Sequence, residues 1–283
     1  MSKKIQALYG LKFNPFSPDI PASALFVRPE VENFCWRVEQ QIGEGGFALI
    51  TGDPGTGKST SLRILALRLH NMCDVRLGIL TRSQATVADF YRELGHLFQV
   101  PLAPHNRWNS SRSLREKWQN HIENALTRPV LFIDEAQEMS SAVLCELRLL
   151  ASTDLDSRSL LCSVLSGDNR LSLRLQQSEL LPIASRIRSR LRHDHASPEQ
   201  LLETLTHLLN EAGNPTMMSE SVQKALVEHA IGNYRVLSNM ANDLLVSGAR
   251  KDISQIDDKL FFEVFNPKGA ATPKRRNNTP PTH

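Results

Sequence analysis

The stretch ITGDPGTGKSTSLRIL, residues 50–65, constrains the fold more than any other part of the chain. Its spacing Gly52-x-x-x-x-Gly57-Lys58-Ser59 is that of a phosphate loop. There, backbone N–H groups cradle phosphates, the lysine reaches the β- and γ-phosphates, and the hydroxyl ligates Mg²⁺. The flanks agree with it. Phe47 to Thr51 is a short apolar run that reads as a buried strand, and Leu62, Leu65, Ala66 and Leu69 recur at helical spacing after Ser59. With glycine at about 7% of residues, a random chain of this length shows the full pattern roughly one time in a hundred. Gly52, Asp53, Pro54, Gly55, Thr56, Gly57, Lys58, Ser59 and Thr60 are therefore the expected nucleotide-binding residues, with Ser59 also a metal ligand.

The remainder supplies the layers such a loop requires. DVRLGIL (74–80), PVLFID (129–134) and SLLCSVLSG (159–167) read as strands, and TVADFYRELGHLF (86–98) and SAVLCELRLLAS (141–152) as helices. Strands alternating with helices imply a parallel sheet covered by helices on both faces. One strand and helix intervene between the phosphate loop and the acidic FIDE strand, the layout of additional-strand ATPases. After Ser197 the pattern is wholly helical. SPEQLLETLTHLLNEAG has Ser197 as N-cap, Pro198 at N1, Gln200 closing a capping box and Gly213 as the stop. The expected division is an N-terminal segment (1–46), an α/β nucleotide-binding core (47–196), a small all-helical lid domain (197–266) and a disordered basic tail (267–283).

A length of 283 residues with 41% hydrophobic content suits one large domain and a smaller one. No apolar run approaches the roughly 18 residues of a membrane span, and the N-terminus lacks a signal-peptide block, so a cytoplasmic protein without membrane contact is expected. Cys35, Cys73, Cys145 and Cys162 form no C-x-x-C pair and read as reduced, mostly buried thiols. Net charge is only +3, but it is unevenly distributed. From Arg158 to Arg192 there are seven arginines against two carboxylates, Asp168 and Glu179.

The chemistry follows from the acidic strand. Asp134 is placed to hold Mg²⁺ and Glu135 to polarise a water against the γ-phosphate. Hydrolysis needs further positive charge, and an added arginine is typically worth about 10³ to 10⁵ in rate. Arg186 and Arg190, in ASRIRSRLRH, both follow serine and precede an aliphatic residue, so periodicity does not choose between them. Arg235, in GNYR (232–235), is a third candidate.

Taken in order, these motifs resemble the AAA+ superfamily, and within it the ExeA/GspA-like ATPases and their TnsC/TniB-type transposition relatives. The resemblance runs from about Tyr9 to Phe265 through YGLKFNPFSPDIP, GFALITGDPGTGKST, VLFIDEAQ, SVLSGDNRL, ASRIRSRL and GNYRVLSNMANDLL. It implies ATP and Mg²⁺ as cofactors, Arg186 as an arginine finger acting in trans with Arg190 in reserve, Arg235 as the sensor on the lid, and Phe16 of FNPF near the adenine. Asp168 departs from the pattern, because relatives carry an uncharged polar sensor there. Either Asp168 faces away, Ser166 or Asn169 does the sensing, or turnover is slow enough to serve as a timing switch.

The functional expectation is an ATP-dependent regulator of DNA transposition. It oligomerises on duplex DNA without sequence preference, as a ring or helical filament of about six or seven subunits per turn, and recruits a transposase and a target-selection protein. The alternatives are a secretion assembly ATPase of the ExeA/GspA kind, which would add a membrane span and a periplasmic domain, and a helicase-loader-like protein. By resemblance, DNA meets two loops, TRSQ (81–84) and HNRWNSSR (105–112), with Arg82, Arg107 and Arg112 at phosphates and Ser83, Asn109 and Ser111 as neutral donors. Trp118, inside a helical run, reads as packing; Trp108 is left open.

Overall fold

The computed structural model describes residues 2–83, 86–103, 105–153 and 158–265. The tail and Gln84 lie outside the described residues. In chain order the elements are α1 (Ser2–Tyr9), α2 (Pro29–Ile42), β1 (Gly46–Gly52), α3 (Lys58–His70), β2 (Val75–Leu80), α4 (Val87–Phe98) and α5 (Arg107–Asn124). There follow β3 (Arg128–Ile133), α6 (Ser141–Ala151), β4 (Ser152–Thr153), β5 (Arg158–Ser159), β6 (Cys162–Gly167), α7 (Asn169–Leu175), α8 (Leu181–Ala184) and β7 (Ile187–His193). The chain then turns wholly helical, as its capping signals foretell, through α9 (Pro198–Ala212), α10 (Glu220–Ala230), α11 (Tyr234–Arg250) and α12 (Asp258–Phe265).

Two compact units result. Residues 21–197 and 232–235 form one, and residues 2–20, 198–231 and 236–265 the other. The first is built on a five-stranded parallel sheet of order β2-β3-β6-β1-β7. β1 and β6 are buried along their whole length, which is why their sequences run apolar without alternation: in a sheet covered on both faces neither side can be polar. Helices on both faces bury the sheet around Phe47, Leu131, Ile133 and Leu165, and Trp118 meets Phe98 edge to face at 5.2 Å. Trp118 is fully buried, whereas Trp108 is 69% exposed.

β7 is a strand that the apolar-run reading of the sequence does not list. Its residues alternate strictly, with Ile187, Ser189, Leu191 and His193 buried and Arg188, Arg190 and Arg192 exposed. Period-two alternation fits an edge strand with one solvated face. Density of arginine, rather than absence of pattern, conceals it.

A second correction concerns HNRWNSSR. Residues 107–112 are the first turns of α5 rather than a loop, with the Asn106 side chain accepting from Asn109 N as N-cap. The end of this stretch is tied down too. Arg107 is ion-paired to Glu146, a carboxylate only 3% exposed that also accepts from the Tyr91 hydroxyl, and Arg112 pairs with Glu116 beneath the Trp108 ring. Arg82 is exposed and Ser83 half-buried after β2, while Asn109 and Ser111 are exposed and half-buried on α5.

In the helical unit, α1 is fixed by Asn214 Nδ2 donating to Tyr9 O at 2.8 Å, and Lys12 N donates to Ala212 O at 2.9 Å. Gly213 closes α9 at φ 99°, a conformation glycine adopts without penalty. Phe16 is buried here, its backbone N–H donating to Asn14 Oδ1, and Asn14 in turn donates to Asn242. Among the described residues no helix is long and apolar enough to cross a membrane. All four cysteines are free, Cys35 and Cys162 buried and Cys73 exposed.

Candidate nucleotide-binding site

β1 ends at Gly52, and the chain must turn sharply there to enter α3. The turn is possible because Gly52 carries no side chain: a Cβ would stand 2.4 Å from the His193 carbonyl oxygen. Gly57, at φ 105°, is the N-cap of α3 and leaves its first N–H groups open. Within this turn the buried Lys58 Nζ donates to Gly52 O at 3.0 Å and Asp53 O at 3.1 Å, and Thr56 Oγ1 donates to Asp53 O. This buried ammonium is held by two carbonyl oxygens, and among the described residues no carboxylate is ion-paired to it. Together with a helix N-terminus this suits a phosphate chain.

The acidic strand delivers its carboxylates beside the loop. Ser59 Oγ donates to Asp134 Oδ2 at 3.1 Å, and Ser166 Oγ, from the end of β6, donates to Asp134 Oδ1 at 2.7 Å. No group of three or more His, Cys, Asp or Glu side chains suited to a metal occurs among the described residues. The Ser59–Asp134 pair fits Mg²⁺, which takes few protein ligands and completes its shell with phosphate oxygens and water. Glu135 follows in a left-handed conformation, φ 51°, that costs a non-glycine residue about 1–2 kcal/mol. Its carboxylate accepts from Gln137 Nε2.

Asp168 does not point loose into this site. It is the N-cap of α7, accepting from Arg170 N, and its carboxylate is ion-paired to Arg170. Partial burial pushes its pKa up, but the Arg170 contacts outweigh that and hold it below the usual carboxylate range. Asn169 is the residue that reaches the loop, its Nδ2 donating to Asp53 Oδ1 at 2.7 Å. His195 approaches the other Asp53 oxygen at 3.3 Å.

Residues 232–235 close the far side of the loop. Asn233 Nδ2 donates to Pro54 O at 2.9 Å, and Arg235 N lies 3.4 Å from Gly55 O. A Cβ on Gly55 would meet Asn233 Oδ1 at 2.2 Å. Beneath them His193 accepts from Arg28 at Nδ1 (2.7 Å), which leaves Nε2 to donate to Ser61 Oγ of α3 (3.0 Å). Burial, then the charges of Arg28 and Lys58, push the His193 pKa down to about 4, so the ring is neutral at physiological pH. Arg28 also lies over the Tyr234 ring.

Lys58, Ser59, Asp134, Glu135 and Asn169 thus converge at the carboxyl ends of the strands. Arg186 and Arg190 do not join them. Arg186 immediately precedes β7, where its guanidinium donates to Pro182 O, and Arg190 donates to Ala184 O. At that amino end lies a cavity of about 510 Å³ lined by Arg128, Arg148, Arg186 and Arg188, with Glu44 paired to Arg188. The sequence reading passes over Gln137, His193, Arg28 and Asn233. Gln137 and Asn233 stand inside motifs already singled out, DEAQ and GNYR, and His193 closes the period-two run of β7.

Residues 40–175 match the AAA domain family. The chain is 32% identical over 149 residues to general secretion pathway protein A of Aeromonas hydrophila, a match covering 52% of this chain and 26% of that protein, so it spans about a quarter of that relative's length. Among solved structures, the Aeropyrum pernix ORC2 protein in ADPNP–ADP complexes superposes with a TM-score of 0.69 at 14% identity, over 89% of this chain and 70% of that one. The A. pernix ORC1 protein in complex with DNA gives 0.68 at 15% identity, over 88% and 67%. The Thermotoga maritima RuvB Holliday junction branch migration motor gives 0.55 at 15%, over 88% and 72%. The match over residues 40–175 and the shared parallel-sheet fold lead to one conclusion: this chain is an ATPase with the P-loop fold of its AAA+ neighbours.

Proposed function

We propose that the chain is an ATP-dependent regulator of DNA transposition that assembles on duplex DNA and, in its ATP-bound form, recruits a transposase. One observation carries the assembly part. The phosphate loop and Glu135 lie at one end of the sheet, while Arg186 lies at the other, separated by the length of β1 and β7. Seven residues at about 3.3 Å each put the two roughly 20 Å apart, so Arg186 serves a nucleotide only if a second copy brings its own. In this reading Lys58 binds the β/γ-phosphates, Ser59 and Asp134 hold Mg²⁺, Glu135 orients the attacking water, and Arg186 reaches the neighbour's γ-phosphate. Arg235 and Asn169 sense it from the first turns of α11 and α7. Hydrolysis then resets the assembly and acts as a switch.

Three further points support DNA as the substrate of assembly. The motif order resembles the TnsC/TniB-type regulators, the fold is shared with the A. pernix ORC1 protein solved in complex with DNA, and β7 lines up Arg188, Arg190 and Arg192 on one exposed face. The test is fluorescence anisotropy on labelled duplex with ATP, ADP or a non-hydrolysable analogue across a salt series. ATP-dependent, sequence-independent binding that falls steeply with salt is expected, because phosphate contacts release counterions. Absence of binding at low salt with every nucleotide, or equal binding with ATP and ADP, sinks the proposal. A second reading, a secretion assembly ATPase, is favoured by the identity to general secretion pathway protein A. It predicts the same ATP chemistry without DNA dependence.

A further inference from the structure

Gln137 is buried in the short turn that follows the acidic pair. Its two amide atoms face opposite ways. Nε2 donates to Glu135 Oε2, and Oε1 accepts from the backbone N–H of Asp168 at 3.2 Å. The partners fix the orientation of the amide, since a carboxylate only accepts and a peptide N–H only donates. The approach is close enough to dictate a neighbour: a Cβ on Gly167 would sit 2.5 Å from Gln137 Oε1. The turn itself is clamped from α7, with Arg174 donating to the carbonyls of Gln137 and Met139, and Arg170 pairing with Glu138.

From this we infer that Gln137 is a positioning residue for hydrolysis: it holds the Glu135 carboxylate in register with the segment that leaves β6, residues 167–169, from which Asn169 reaches the phosphate loop. The inference rests on the role proposed above for Glu135. The left-handed backbone at Glu135 makes such a tether necessary, because a strained residue keeps its side-chain direction only when surrounding contacts over-determine it. One glutamine thereby joins the water-orienting carboxylate to the strand end beside the nucleotide, and neither moves without the other.

The experiment uses the full chain. Gln137→Met keeps the length of the side chain and removes both hydrogen bonds; Gly167→Ala leaves the glutamine and displaces it. Single-turnover hydrolysis and equilibrium ATP binding are measured for each and for Gln137→Met combined with Glu135→Gln, and amide exchange at Asp168 is followed in nucleotide-free protein. The expected result is a fall in hydrolysis of about 10- to 100-fold in either variant, of the size that misplacing a reacting group produces. ATP affinity stays within about twofold, Asp168 N–H exchanges faster in Gln137→Met, and no further loss appears in the Glu135→Gln background, where the carboxylate is already gone. An unchanged or faster rate, a loss that multiplies with Glu135→Gln, or a parallel loss of ATP affinity overturns the inference. Normal turnover by Glu135→Gln alone removes the proposed role of Glu135 itself, and a dead Glu135→Gln beside a normal Gln137→Met removes only the positioning role.

Discussion

The carboxyl and amino ends of the parallel sheet differ in chemistry as much as two separate proteins would. At the carboxyl ends stand Asp53, Asp134 and Glu135, each hydrogen-bonded by a neutral donor, around one buried lysine. At the amino ends stand Arg128, Arg148, Arg186 and Arg188 around a cavity, with Glu44 the acidic side chain among its lining residues. A parallel sheet enforces this separation, since whatever follows a strand gathers at one end and whatever precedes a strand gathers at the other. In the proposed function the acidic end holds the triphosphate, and the basic end of a second copy supplies the charge its transition state needs.

The largest effect that would break this comparison is at the basic end. Arg186→Ala should lower hydrolysis by about 10³ to 10⁵ while leaving ATP affinity intact, although Arg186 lies a strand's length from its own phosphate loop. Mixing inactive Arg186→Ala with inactive Lys58→Ala subunits should restore part of the activity, because one interface in the mixture pairs an intact arginine with an intact loop. Absence of rescue, with mixed assembly confirmed by cross-linking, would mean that the two ends do not work across a subunit boundary.

At the acidic end, Glu135→Gln should bind ATP normally and lose about 10² to 10⁴ in turnover, the usual worth of a positioned general base. Labelled-ATP binding and phosphate release measured side by side decide it.

His193 sharpens the contrast through pH. Its folded pKa of about 4 lies below the ordinary value of 6.5, so the unfolded chain binds a proton that the native one refuses. Its contribution is intact above pH 6.5 and is lost as pH falls from there to about 4, to a total of about 3 kcal/mol. Urea unfolding at pH 7 and 4.5 should show a smaller acid loss for His193→Gln than for the natural protein. An identical loss would mean that His193 is not the buried neutral link between α3 and Arg28.

The smallest effect separates true phosphate contacts from structural arginines. Arg107 is 60% exposed and bonded to a buried Glu146 that keeps the Tyr91 hydroxyl. Arg107→Ala should therefore cost about 1–2 kcal/mol of stability, discounted from a fully buried pair for solvent screening, and change the salt dependence of DNA binding little. Arg82→Ala should leave stability alone and reduce the log–log salt slope by about 1. The reverse outcome would move the DNA contact from the end of β2 to α5.

What the sequence by itself determined is what local pattern determines. The phosphate loop, the apolar run into Asp134 and Glu135, the strand-helix alternation and the capped helices after Ser197 are all written in consecutive residues, because each depends on neighbours within a turn or a strand. What the tertiary structure decided is which distant residues meet. The alternation of β7 marks a strand but not its partner; pairing with β1 sets His193 against Gly52 and Ser61. The capture of Arg107, at the start of α5, depends on a buried carboxylate 39 residues away. Gln137 stands two residues from Glu135 in the sequence, yet it acquires a role only because β6 brings the Asp168 N–H to its other side. Parallel pairing joins segments far apart in the chain, so these contacts are long-range by construction and leave no signature in the residues between them.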